Sequence, residues 1–152
     1  VELAERLTDV CTRVLPDATV IVHGSLALGD FRPGKSDVDL LVLSDAPTEG
    51  LVEAVERDWA LAPNDLDLRV VTYAAAAEPT PAPHMRLYVS ITGEHGLHVE
   101  RDRDEPDLAI ELSVCRQLGH TDVIGPVPDE WVDQVGADAV ERWKEIAYDP
   151  PH

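Results

Sequence analysis

Apolar residues recur every three to four positions at Leu3, Leu7, Val10, Cys11 and Val14, which predicts an amphipathic helix over residues 2 to 15 that Pro16 and Asp17 stop. The β-branched run Ala18 to His23 predicts a short buried strand leading straight into Gly24 and Ser25. Gly29, Pro33 and Gly34 break the chain, and DVDLLVL (37 to 43) predicts a second strand with Asp at its first and third positions. Leu51, Val52, Val55 and Trp59 mark one side of a helix over 48 to 62, capped by Thr48 and ended by Pro63 and Asn64. DLDLRVVTY (65 to 73) alternates acid and apolar before turning wholly β-prone, and gives a third strand.

The Ala- and Pro-rich stretch 74 to 83 predicts a mobile or extended excursion. Residues 85 to 102 predict a hairpin turning near Gly93 to Gly96, with a short strand followed by an irregular loop as the alternative. Pro106 and Asp107 start a further helix with Leu108, Leu112, Cys115 and Leu118 on its buried stripe, and Pro128 opens a last one carrying Val132, Val135, Ala139, Trp143 and Ile146. The fold class is α/β (α+β), divided into a domain over 1–105 and a helical region over 106–152.

Composition narrows the field. A chain of 152 residues has room for one domain, or one domain plus a short appended piece. Its longest apolar stretches fall far below the ~20 residues of a membrane helix, and the first ten residues lack the pattern of a secretory signal, so a cytoplasmic location is expected. The net charge of −18, from 30 acids against 12 Lys and Arg, argues against a nucleic-acid partner. Cys11 and Cys115 each fall on an apolar helical stripe and read as buried thiols. Trp59, Trp131 and Trp143 read as core or interface residues. His23 reads as a packed polar residue, and His84, His95, His98 and His120 show no metal-ligand spacing.

The chemistry concentrates in HGSLALGDFRPGKSDVDLLVL, residues 23 to 43. Side chains two apart on a strand share a face, so Asp37 and Asp39 form a pair of carboxylates while Val38 faces the other way. Two like charges so close call for a cation, and magnesium, which takes oxygen ligands, arrives with triphosphate oxygens completing its octahedron. Gly24, lacking a Cβ, lets a phosphate approach the backbone, and Ser25 adds a hydroxyl donor. Asp65 and Asp67 are again spaced by two. Asp67, nearer the strand middle and level with Asp39, is the choice for a third carboxylate, with Asp65 as its substitute.

Gly-Ser, about a dozen residues and then Asp-x-Asp in a hydrophobic strand resembles the nucleotidyltransferases of the DNA polymerase beta superfamily. Within them, HGSLALGDFRPGKSDVDLLV, LDLRVV and DLAIELSVCRQLGHTDVIGPVP are most similar to the enzymes that adenylylate streptomycin and spectinomycin. The resemblance implies a mixed sheet of about five strands flanked by helices, followed by a helical domain that the chain would only begin, so that it looks truncated. It implies Asp37 and Asp39 as ligands of two magnesium ions, Gly24 and Ser25 on the triphosphate, and Ser36 as a further phosphate contact. Asp67 would stand where these enzymes commonly carry a Glu acting as general base, one methylene longer. Lys35 and Arg32, between the two motifs, are the cations nearest the nucleotide in sequence.

The activity so implied is transfer of AMP from ATP to a hydroxyl of a small acceptor, an aminoglycoside or aminocyclitol antibiotic, by a two-magnesium mechanism. One alternative is a minimal nucleotidyltransferase of the toxin–antitoxin type, adenylylating a protein partner. Another is a nucleotide-binding remnant without turnover.

Overall fold

A computed structural model describes residues 2–23, 38–59 and 65–131. Its contacts divide the chain into two units, 1–73 with 84–103 and 74–83 with 104–152. Among the described residues no helix is long and apolar enough to cross a membrane.

The first unit is built on a five-stranded mixed sheet. Its helices are α1 (Glu2–Val14) and α2 (Leu51–Trp59), and its strands are β1 (Thr19–His23), β2 (Val38–Leu43), β3 (Leu66–Val71), β4 (His84–Thr92) and β5 (Gly96–Asp104). Strand order follows chain order from β1 to β5. β1 runs antiparallel to β2, β2 parallel to β3, and β3 antiparallel to β4. The parallel step is the one that needs a crossover, and α2 supplies it.

Alternation decides what each face of the sheet does. Val38, Leu40 and Val42 of β2, Leu66, Leu68 and Val70 of β3 and Leu87 and Val89 of β4 point to one side. There they pack with Leu7, Val10 and Cys11 of α1 and Leu51, Val52, Val55 and Trp59 of α2. Full burial of one such leucine contributes about 1.5–3 kcal/mol, which is how two short helices are held on the sheet. Burial also pushes the Cys11 thiol up to about 12, so the sulfur is a packing atom rather than a nucleophile. The intervening residues Asp39, Asp67 and Arg69 necessarily point to the other side.

The predicted strands and hairpin are present with small shifts at their ends. β3 stops at Val71 and the turn of the hairpin lies at residues 93–95. The helix expected from Thr48 begins at Leu51, whose N–H bonds to the Thr48 carbonyl; residues 60–64 of that expectation lie outside the described residues.

In the second unit, the stretch expected to be an extended or mobile excursion holds the end of a short helix, α3 (Tyr73–Ala77). The alanine run supplies the best helix former, and the prolines come only after the helix has ended. Gly125 donates its N–H to Ala76, and a Cβ there would collide with the Ala77 carbonyl, so only glycine admits this approach. α4 (Asp107–Gln117) buries Leu108, Leu112 and Cys115 as the spacing predicts, and Ala109 beside them. Leu118, placed on that stripe from sequence, is 39% exposed. Leu118 closes the helix as its last turn, its N–H bonded to the Val114 carbonyl, while Glu111 takes a buried position. The last helix, expected to open at Pro128, is helical over residues 129–131, where the Trp131 N–H bonds to the Pro128 carbonyl; its remainder, with Val132, Val135, Ala139, Trp143 and Ile146, lies outside the described residues.

Candidate active site

The two carboxylates read from sequence on different strands stand beside each other. Asp39 of β2 and Asp67 of β3 are direct Cα partners in the parallel ladder, and adjacent strands lie about 4.7–4.9 Å apart. Neither is buried outright: both are half-buried on the face turned away from α1 and α2. His23 of β1 is the Cα partner of Asp39, and Ser90 of β4 the partner of Asp67. A single polar row, His23, Asp39, Asp67 and Ser90, therefore crosses four strands.

Asp67 is held on both of its oxygens. Tyr88 donates its hydroxyl hydrogen bond to Oδ2 at 3.3 Å, and the Arg69 Nε stands 3.9 Å from Oδ1. Arg69 and Tyr88 are themselves Cα partners, and the guanidinium lies over the tyrosine ring, 5.1 Å from its centroid. His98 of β5 meets the same ring edge-on, with centroids 6.1 Å apart. Burial, and next the charge of Asp67, raise the Tyr88 phenol above its ordinary range, so the group stays a hydrogen-bond donor at neutral pH.

Asp65 has a different task. It precedes β3, its Oδ1 accepts the Gly93 N–H at 3.0 Å, and its carbonyl accepts the Val38 N–H at 2.9 Å. It therefore ties the hairpin turn and the start of β2 to the entrance of β3.

The other end of the strands carries a second polar network. Ser44 donates to Asp17 Oδ1 at 2.5 Å and the Asp45 N–H to Asp17 Oδ2 at 2.8 Å. Arg86 reaches the carbonyls of Ser44 and Ala46 at 2.7 and 2.8 Å. The Ser44 hydroxyl, the Asp45 amide and the more distant Arg86 charge hold the Asp17 carboxyl below its usual range. This network fixes the turn after β2 against the start of β1, a full strand length from Asp39.

Gly24, Ser25, Arg32, Lys35, Ser36 and Asp37 lie outside the described residues. Among the described residues no group of three His, Cys, Asp or Glu stands ready to hold a metal ion. Asp39 and Asp67 nevertheless fit a hard divalent cation in the chemistry of their donors: adjacent, half-buried, oxygen-bearing and of like charge. Tyr88, Arg69 and Ser90 were missed as neighbours of the acids in the sequence. Their signal was the alternation of β4, in which Arg86, Tyr88 and Ser90 interrupt an apolar run at every second position.

The model of the family described as nucleotidyltransferase domain matches residues 3–95, which include Gly24, Ser25, Asp37, Asp39 and Asp67. No curated protein matches the chain. A solved structure of spectinomycin adenyltransferase AAD(9) from Enterococcus faecialis, with ATP and spectinomycin, has a similar fold at a TM-score of 0.69 and 16% identity. The likeness covers 97% of this chain and 68% of that one. With a five-stranded mixed sheet, an acid pair in register on its two parallel strands and a family match over most of the first unit, the chain belongs to the nucleotidyltransferase domain family of the DNA polymerase beta-like superfamily and is an enzyme of nucleotidyl transfer.

Proposed function

We propose that the chain transfers AMP from ATP to a hydroxyl group of a small cationic acceptor, an aminoglycoside or aminocyclitol. The observation that carries this reading is the juxtaposition of Asp39 and Asp67 on adjacent parallel strands, away from the face that α1 and α2 cover. The likeness in fold to an enzyme solved with ATP and spectinomycin supports the nucleotide and the acceptor class. The net charge of −18 favours an acceptor that carries ammonium groups over an anionic one.

Asp37, Asp39 and Asp67 would hold two magnesium ions, which when bound supply Lewis acidity and neutralise phosphate charge. Gly24 and Ser25, immediately after β1, together with Ser36 and Lys35, are assigned to the triphosphate. In the transfer, the acceptor oxygen bonds to the α-phosphorus as the bond from that phosphorus to the β-phosphate bridging oxygen breaks. Pyrophosphate leaves with the bonding electron pair, and we assign the hydroxyl proton to the carboxylate of Asp67. Tyr88 and Arg69 fix the orientation of that carboxylate, so the residues contribute chiefly positioning and charge, as phosphoryl transfer requires.

The test is transfer of label from ATP, labelled at the α-phosphate, to streptomycin or spectinomycin in the presence of magnesium. Labelled drug from the wild type and none from Asp39→Asn supports the reading. Label appearing on a co-purified protein instead of on either drug refutes the small acceptor and points to the protein-modifying alternative.

A further inference from the structure

The protein sets a hydroxyl of its own against the carboxylate assigned as base. A general base takes a proton from an oxygen held within about 2.6–3.2 Å, a separation that is often longer before substrate binds. The Tyr88 hydroxyl stands 3.3 Å from Oδ2 of Asp67 and donates its hydrogen to that oxygen. A phenol therefore already holds, toward Asp67, the relation that any acceptor hydroxyl must reach in order to react.

Its neighbours complete the arrangement. Leu87 and Val89, on either side of Tyr88, pack with α1 and α2, so the tyrosine faces the opposite side of the sheet with Asp67. Arg69 steadies the base from its other oxygen, with Nε 3.9 Å from Oδ1, and lays its guanidinium over the tyrosine ring, where it offsets negative charge gathering on the phenol. A nucleophile, a base within reach and a third group that aims the base make the pattern of an activated nucleophile.

The same bonds separate Tyr88 from the other hydroxyls nearby. Ser90 is bonded to the phenol and draws its titration down, so the serine donates and the tyrosine oxygen accepts. The Ser90 proton is thus directed at the tyrosine, and the Tyr88 proton at the carboxylate. Tyr73, the other tyrosine among the described residues, gives its proton to the Asp17 carbonyl at the far end of the strands, and a backbone carbonyl is no base. Burial keeps the Tyr88 phenol protonated at neutral pH, so its reaction depends on Asp67 rather than on free phenolate.

We infer that Tyr88 is a self-modification site, to which the chain transfers AMP when ATP is bound and no acceptor is present. The inference rests on the proposed transfer of AMP with Asp67 as base. The Tyr88 oxygen bonds to the α-phosphorus as the bond from that phosphorus to the β-phosphate bridging oxygen breaks. Pyrophosphate leaves with the bonding electron pair, and the phenol proton passes to Asp67. The product is a phosphodiester on the tyrosine, and an acceptor hydroxyl competes with Tyr88 for the same base.

The test incubates the full chain with magnesium and ATP labelled at the α-phosphate, with and without spectinomycin or streptomycin, and reads the protein by intact mass and peptide mapping. AMP is expected on the peptide carrying Tyr88 and not on those carrying Tyr73 or Tyr148, and less of it in an excess of a drug that accepts AMP. In alkaline denaturant the labelled chain shows the absorbance of two tyrosinates where the unlabelled chain shows three, because an esterified phenol cannot ionise. Tyr88→Phe abolishes the label with the melting temperature close to that of the wild type, and Asp67→Asn lowers it by roughly a hundredfold or more, as the loss of an acid–base group does. Transfer to a drug with the chain unlabelled, or label that persists in Tyr88→Phe, overturns the self-modification and leaves the transfer reading standing. Label on neither drug nor chain removes the transfer reading and this inference together. Label on Tyr88 with none on either drug upholds the inference and refutes only the acceptor class.

Discussion

Asp39 and Asp67, twenty-eight positions apart in the chain, are Cα partners on the parallel strands β2 and β3, which antiparallel β1 and β4 flank. Parallel pairing matters here because it sets the same ends of β2 and β3 side by side, so two acids near the strand starts meet at one end of the sheet. Replacing Asp67 by Asn keeps the shape and removes the charge. We expect a loss of roughly a hundred- to ten-thousand-fold in kcat, the range of a lost acid–base group, with the melting temperature unchanged or raised because two like charges no longer face each other. Stopped-time transfer assays and a thermal melt check both.

Tyr88→Phe removes the hydroxyl that Asp67 accepts while keeping the ring under Arg69. A hydrogen bond of this kind contributes about 0.5–1.5 kcal/mol, so kcat should fall two- to tenfold with little change in the KM for ATP. An equal loss in KM and none in kcat would mean that Tyr88 binds nucleotide instead of steadying the carboxylate.

The Tyr88 phenol titrates above its ordinary range through burial first and the Asp67 charge second. In Asp67→Asn, phenolate absorbance should therefore appear at lower pH than in the wild type, though still raised by burial. An unchanged titration curve would show that the two side chains do not interact in solution.

Ser44→Ala deletes the largest contribution that lowers the Asp17 carboxyl. A carboxyl depressed in the folded state contributes stability that is present above its unfolded value and is lost as pH falls through the folded one. The variant should then lose stability relative to the wild type at neutral pH, while the gap closes in acid. Urea unfolding at several pH values measures it.

Leu68 is fully buried between β3 and the two helices, and Leu68→Ala should cost about 2–5 kcal/mol in urea unfolding. Cys11, its thiol at about 12 and its surface closed, should resist alkylation until the protein unfolds.

Much of this was legible in the chain because period-two alternation is a direct record of sheet faces. LDLRVV announces that Asp67 and Arg69 share a side; Asp67 is level with Asp39 as expected, although as the second residue of β3 beside the second residue of β2 and not from a place nearer the strand middle. Asp65 and Asp67 look equivalent in that pattern; only the hydrogen bond to Gly93, a contact across twenty-eight positions, separates them. A still longer separation hid the Arg86 clamp on the carbonyls of Ser44 and Ala46, since backbone acceptors leave no mark in a sequence. The short helix α3 was masked by the prolines that follow it, and Leu118 by a helix end that periodicity does not mark. The Gly-Ser and Ser36–Asp37 part of the motif lies outside the described residues, so its assignment rests on the family match and the motif alone.

The central claim is that Asp39 and Asp67 converge on divalent cation and nucleotide. Manganese, a paramagnetic substitute for magnesium, reads this directly in the nuclear magnetic resonance spectrum of the isotope-labelled chain with ATP. The account predicts that the amide signals of Asp39, Asp67 and His23 broaden away, while those of Thr19 and Tyr73, at the other end of the strands, survive. Broadening centred on Thr19 and Tyr73, or none at either end with ATP bound, would contradict it.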